Sequence, residues 1–159
     1  MKTFPQNEIV KDLHRLVFLM DKIADHLLQK NLHLTFSQFR ILVSVLKHDK
    51  PTQADIAKLL DISPAAISRQ IELLSSKRLI LSSRSSKNHR EHPLQLSPLG
   101  KAQISKAIDI MGGSFQSIYE VLGDKEQKAT AGSISKLIAH IHDKGIEYFC
   151  KTSPTKTIK

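Results

Sequence analysis

The sequence predicts a mainly α protein with a small β-hairpin wing, and three observations carry that prediction. Apolar stripes at helical spacing occupy both flanks of the chain. Between them, two short segments, Thr52 to Leu60 and Ser63 to Leu74, each begin with a residue suited to cap a helix. Two strand-like triplets follow, Leu79-Ile80-Leu81 and Leu94-Gln95-Leu96, joined by a basic stretch. Helix, tight turn, helix and basic hairpin in that order describe a winged helix-turn-helix, a shape that fits duplex DNA.

Each element has its own local cause. Ile9, Leu13, Leu16, Val17, Met20, Ile23, Ala24, Leu27 and Leu28 recur at helical spacing, which predicts one long helix from about Gln6 to Lys30. Met20 sits within that stripe and reads as packing rather than as a ligand. Thr35 with Gln38 three residues on forms a capping box, and Leu34 and Phe39 are placed as a hydrophobic staple around it. That second helix runs to about Lys47. Thr52 can accept from the backbone N–H of Asp55, whose carboxylate lies in the first turn where the macrodipole favours it. Ile56, Ala57 and Leu60 then share a face, and Ala57 is small enough to let a crossing helix come close. Asp61 stands where the chain turns sharply and tolerates a left-handed backbone better than most residues. Ile62 plugs the corner, Ser63 caps the next helix, and Pro64 at its first position gives up an N–H that had no intrahelical partner.

After the hairpin, Ser97 and Pro98 repeat this start, and apolar residues continue through Ile104, Ile108, Met111, Phe115, Ile118 and Leu122. Gly112-Gly113 is expected to interrupt that helix, as a bend or a close helix contact. A last amphipathic helix carries Ala129, Ile134, Leu137, Ile138, Ile141 and Phe149. The tail from Lys151 to Lys159 lacks acids and apolar clustering, which predicts disorder.

The helix that opens at Ser63 has two stripes. Ala66, Ile67, Ile71 and Leu74 are expected to pack, while Ala65, Ser68, Arg69 and Glu72 fall on the other face. Such a pattern alone describes any amphipathic surface helix. The stretch that follows adds Arg84, Lys87, His89, Arg90 and His92 against the single acid Glu91. A charge run is commonly a solvated loop, but a basic loop beside an exposed helix face matches a phosphate-binding footprint.

With 159 residues, 40% of them hydrophobic, the chain suits one domain of ordinary size. A formal charge of +9 favours polyanionic partners, though it would also serve solubility or suit a membrane surface. No apolar run approaches the length of a membrane span and the start is no signal peptide, so a cytoplasmic protein without membrane attachment is expected. The single cysteine, Cys150, agrees with a reducing compartment.

From Leu34 to Gly100 the sequence resembles the multiple-antibiotic-resistance regulator (MarR) family of bacterial transcription factors. The matching pieces are Leu34-Thr35-Phe36-Ser37-Gln38-Phe39, Thr52-Gln53-Ala54-Asp55-Ile56-Ala57, Ser63 to Leu74, Asn88-His89-Arg90 and Leu96-Ser97-Pro98-Leu99-Gly100. The resemblance implies an obligate dimer, a recognition helix in the major groove and a wing arginine, Arg90, in the minor groove. Three residues depart from the pattern. Asn88 replaces the Asp that commonly braces the wing arginine, and Gln70 takes a commonly apolar position, where its amide needs a partner. Arg78 occupies the place of a helix-ending Gly; a left-handed non-Gly residue costs about 1 kcal/mol, so a different helix ending is expected.

Residues 1–33 are thus expected to form an N-terminal dimerisation helix, 34–97 the DNA-binding region, 98–150 the C-terminal dimerisation helices and 151–159 a disordered basic tail. Pairing with a second chain gives the flanking stripes a use and sets two recognition helices against a two-fold operator; flanks folded back on a monomer are the alternative. Base reading is assigned to Ser63, Ala65, Ser68 and Arg69, with Pro64 setting the start of the helix, and wing or backbone contacts to Arg84, Lys87 and Arg90. The function expected is a dimeric, sequence-specific DNA-binding repressor released by a small-molecule effector that no residue identifies. The alternative is a winged-helix module that docks on protein instead of DNA.

Other chemistry finds little footing. The eight histidines invite a metal, yet His140 and His142 point about 200° apart on a helix, and His14, His26, His33 and His48 have no cysteine nearby. No metal and no cofactor is expected. Cys150 lies away from the N-terminal region where peroxide sensors of the family keep their thiol, and reads as inert. There is no Gly-rich phosphate loop, nucleophile elbow or recognisable Ser, His and acid grouping, so no enzyme is expected.

Overall fold

The structure, a computed structural model, describes residues 8–82 and 93–151. In order they form α1 (Glu8–Leu32), α2 (Phe36–Lys47), α3 (Gln53–Leu60), α4 (Pro64–Ser76), β1 (Ile80–Ser82), β2 (Leu94–Leu96), α5 (Pro98–Tyr119), α6 (Asp124–Lys144) and α7 (Ile146–Lys151). They divide into two compact units, one through Phe115 and one from Gln116.

In the first unit, α2 is the central pillar. Its capping box is complete: Thr35 Oγ1 accepts from Gln38 N at 3.1 Å, and Gln38 Oε1 accepts from Thr35 N at 3.3 Å. Asp25 of α1 satisfies a further N–H of this helix start, accepting from Phe36 N at 2.8 Å. Phe39, Ile41, Leu42 and Val45 are buried, with Leu28, Leu34, Ile56, Ile67, Leu74, Leu94 and Ile104 in the same cluster. Of α1, only Ala24 and Leu28 join this core. Ile9, Leu16, Val17 and Ile23, four of the nine residues of its predicted apolar stripe, stay exposed among the described residues.

The hairpin pairs Ile80 with Leu96, Leu81 with Gln95 and Ser82 with Leu94 in antiparallel register. The first strand is therefore shifted one residue from the expected Leu79-Ile80-Leu81: the Leu79 carbonyl still accepts from Ser97 N at 3.0 Å in the same register, but Leu79 N is spent on Leu74 O at the end of α4. Leu94 N also donates to Pro51 O at 2.8 Å, which ties the hairpin to the chain just before α3. Ser97 then clamps the start of α5: its Oγ accepts from Gly100 N at 2.9 Å and donates to Arg78 O at 2.6 Å. Gly100 is required there, since a Cβ would stand 2.2 Å from the Leu79 carbonyl oxygen.

Two expectations about the C-terminal flank are corrected. α5 runs without a break through Gly112 and Gly113, and a Cβ at either would meet nothing within 4 Å. Two exposed glycines cost about 2 kcal/mol of propensity, which the burial of Ile104, Ala107 and Met111 on the same helix offsets. In the second unit the last amphipathic segment is two helices, since Gly145 at φ 75° ends α6 and places Phe149 on α7. α6 buries none of its residues, and Ile134, Leu137, Ile138 and Ile141 are exposed.

Candidate nucleic-acid interface

The helix-turn-helix is built by its caps. Thr52 Oγ1 accepts from Asp55 N at 3.2 Å, and the Asp55 carboxylate accepts from Thr52 N at 2.9 Å and Thr52 Oγ1 at 2.8 Å. Those bonds hold the Asp55 carboxyl below its ordinary range, the backbone N–H of Thr52 first and its hydroxyl second. Asp61 closes α3 in the left-handed region at φ 53°, as its position predicted, and Ile62 N donates to Ala57 O at 3.0 Å. Ser63 Oγ accepts from Ala66 N at 3.3 Å with Pro64 in the first turn, so α4 starts where the sequence placed it.

Ile67, Ile71 and Leu74 anchor α4, each worth about 2 kcal/mol of burial. Ser63, Pro64, Ala65 and Arg69 are exposed and Ser68 is half-buried. Ala65, Ser68, Arg69 and Glu72 project from roughly a third of the helix circumference, so three of the four residues assigned to base reading share one face, with Ser63 at the N-cap beside it. Ala66 is the exception to the predicted stripes. It is exposed, because it precedes Ile67 by one residue and so lies about 100° from the buried row, in a first turn that no described residue covers. Ala66 thus belongs to the open face. No carboxylate of the described residues pairs with Arg69, which leaves its guanidinium donors available. The Ser63 hydroxyl uses its oxygen in the cap and keeps its proton to donate.

The far end of α4 differs from expectation. Arg78 does take the left-handed conformation, at φ 58°. Arg78 N donates to Ser75 O at 2.8 Å and Leu79 N to Leu74 O at 2.9 Å, the paired bonds of a Schellman ending that glycine usually supplies. The turn is set by those bonds and by the burial of Leu79, and the arginine bears the strain. Arg84, Lys87 and Arg90, with Asn88, lie outside the described residues. Gln70, by contrast, finds its partner: Gln38 Nε2 donates to its Oε1 at 3.2 Å.

Among the described residues no three His, Cys, Asp or Glu side chains converge as a metal would require, and no helix is long and apolar enough to cross a membrane.

The MarR family model matches residues 34–92. Transcriptional regulator ZitR of Lactococcus lactis subsp. cremoris is 30% identical over 113 residues, which is 69% of this chain and 77% of that protein. Among solved structures, a mutant MarR from E. coli superposes with a TM-score of 0.75 at 19% identity, covering 87% of this chain and 99% of that one. A DNA complex of MepR from S. aureus gives 0.68 at 21% identity, covering 87% and 99%. The capped helix pair, the hairpin and these likenesses agree: the chain belongs to the MarR family, and it is a winged helix-turn-helix transcriptional regulator rather than an enzyme.

Proposed function

We propose that this regulator works in the cytoplasm as a homodimer that binds a two-fold DNA operator, represses transcription and is released by a small-molecule effector. The observation that carries the DNA reading is the open face of α4, where Arg69 stands exposed, with no carboxylate partner among the described residues, beside Ser63, Ala65 and Ser68. Arg69 reads a guanine edge, Ser63 and Ser68 donate to bases or phosphates, Ala65 meets a thymine methyl, and Pro64 fixes the helix start. Arg84, Lys87 and Arg90 of the wing take phosphates and the minor groove. A MepR structure with DNA supports the geometry by likeness of fold. Residues 1–33 and 98–150 supply the dimer contacts. The exposed apolar rows of α1 and α6 support that role, since each lacks cover within its own unit. For the effector, a groove lined by Asp21 of α1, Phe36, Phe39, Arg40 and Lys47 of α2 and Leu59 of α3 offers an apolar floor with charged walls.

Arg69→Ala tests the central assignment. Binding to a duplex selected by the protein from a random pool should weaken by about 1–3 kcal/mol, with preference relaxed at one base pair. Equal loss on selected and scrambled duplexes would move Arg69 to a phosphate.

A further inference from the structure

Gln38 is buried to 5% exposure, and its amide joins the start of α2 to the middle and the end of α4. Its Oε1 accepts from Thr35 N at 3.3 Å and from Lys77 Nζ at 3.4 Å, while its Nε2 donates to Gln70 Oε1 at 3.2 Å. Gln70 and Lys77 are seven residues apart, hence two turns apart on one edge of α4, about 100° from Arg69. A single amide from α2 is thereby gripped at two heights on the helix that carries the reading face. Lys77 Nζ also donates to the His33 carbonyl at 2.7 Å, just past the end of α1.

Apolar burial of Ile67, Ile71 and Leu74 holds α4 down, but it is non-directional and tolerates small changes of roll and height. Hydrogen bonds are directional, and a buried amide that loses a partner bears the full desolvation penalty. The polar contacts therefore select one setting of the helix among several that the apolar row would accept.

We propose that Gln38, Gln70 and Lys77 form a positioning clamp that fixes the roll and height of α4, and that Lys77 ties this setting to the end of α1. The three residues touch no base; they act through Arg69 and Ser68, and the inference rests on α4 being the reading helix. Its signature is selectivity rather than affinity, because phosphate contacts survive a small shift of the helix that base contacts do not.

The test measures the ratio of affinities for the selected duplex and a scrambled duplex of the same composition. Gln38→Leu, Gln70→Leu and Lys77→Met should each lower that ratio about tenfold, the worth of one lost base contact. The Gln38→Leu/Gln70→Leu pair should fall no further than the worse single variant, since both remove one interaction. Gln70→Glu keeps an acceptor for the Gln38 amide and should hold the wild-type ratio, even as its charge weakens both affinities alike. Unchanged ratios in the Leu variants, or losses that multiply in the pair, overturn the clamp. Amide exchange on the free protein judges it without DNA: exchange at Ile71 to Ser76 should accelerate in Gln70→Leu while that of α5 stays, and unaltered α4 protection overturns it. Failure of the wild type to select any duplex would instead sink the DNA reading, with the exchange result still deciding the clamp. Should Gln38→Leu fail to fold, Gln70→Leu and Gln70→Glu carry both measurements.

Discussion

Arg78→Gly should make this protein more stable, although it deletes a charged side chain from a basic surface. Arg78 is exposed and sits at φ 58°, where an L residue with a Cβ is strained by about 1–2 kcal/mol. Its backbone makes the bonds that matter: its N–H reaches Ser75 O at 2.8 Å, and its carbonyl accepts from Ser97 Oγ at 2.6 Å. Glycine keeps both bonds and relieves the strain. Against this, glycine adds freedom to the unfolded chain worth about 0.4–1 kcal/mol. The difference leaves a gain of about 0–1.6 kcal/mol per chain, centred near 0.8. Urea unfolding followed by circular dichroism, without DNA and at fixed protein concentration, should show a raised midpoint with an unchanged slope. In a melt, a protein of this size should gain about 2–4 °C for each kcal/mol. A midpoint that falls would mean that the arginine side chain stabilises the turn by more than its backbone strain costs, and the steric account of this helix end would be wrong.

Three further outcomes follow from the structure. Gly112→Ala should stabilise by about 1 kcal/mol through helix propensity, because its Cβ meets nothing within 4 Å; a loss in urea midpoint would instead place a second chain against that spot. Leu137→Asp changes a half-exposed residue of the uncovered α6 row, so light scattering should report a monomer while helical dichroism persists, and an intact dimer would remove α6 from the interface. Because the folded Asp55 carboxyl is held below its ordinary value, its contribution is full above that ordinary value and is lost as pH falls through the lower folded one. Asp55→Asn should therefore flatten the acid limb of urea midpoint against pH, and parallel curves for the two proteins would refute the assignment.

What the sequence by itself determined is mostly local. Thr35 with Gln38, Thr52 with Asp55, Ser63 before Pro64 and Asp61 at the corner place four helix boundaries, because caps and left-handed turns are satisfied within a few residues of chain. The open face of α4 was legible for the same reason, since a helix that starts at Ser63 and buries Ile67, Ile71 and Leu74 leaves Ala65 and Arg69 on the other side. The errors lie where distant parts of the chain compete. Gly112-Gly113 reads as an interruption, a bend or a close helix contact, yet α5 continues unbroken through it with Ile104, Ala107 and Met111 buried on the same helix. Ala66 reads as core, yet it lies about 100° from the buried row and no described residue covers it. The partner of Gln70 lies on another helix, 32 positions away, and no spacing rule reaches that far. Hydrogen bonds closed within a turn are written in adjacent letters, whereas the position of one helix against another depends on which side chains the whole fold brings within reach.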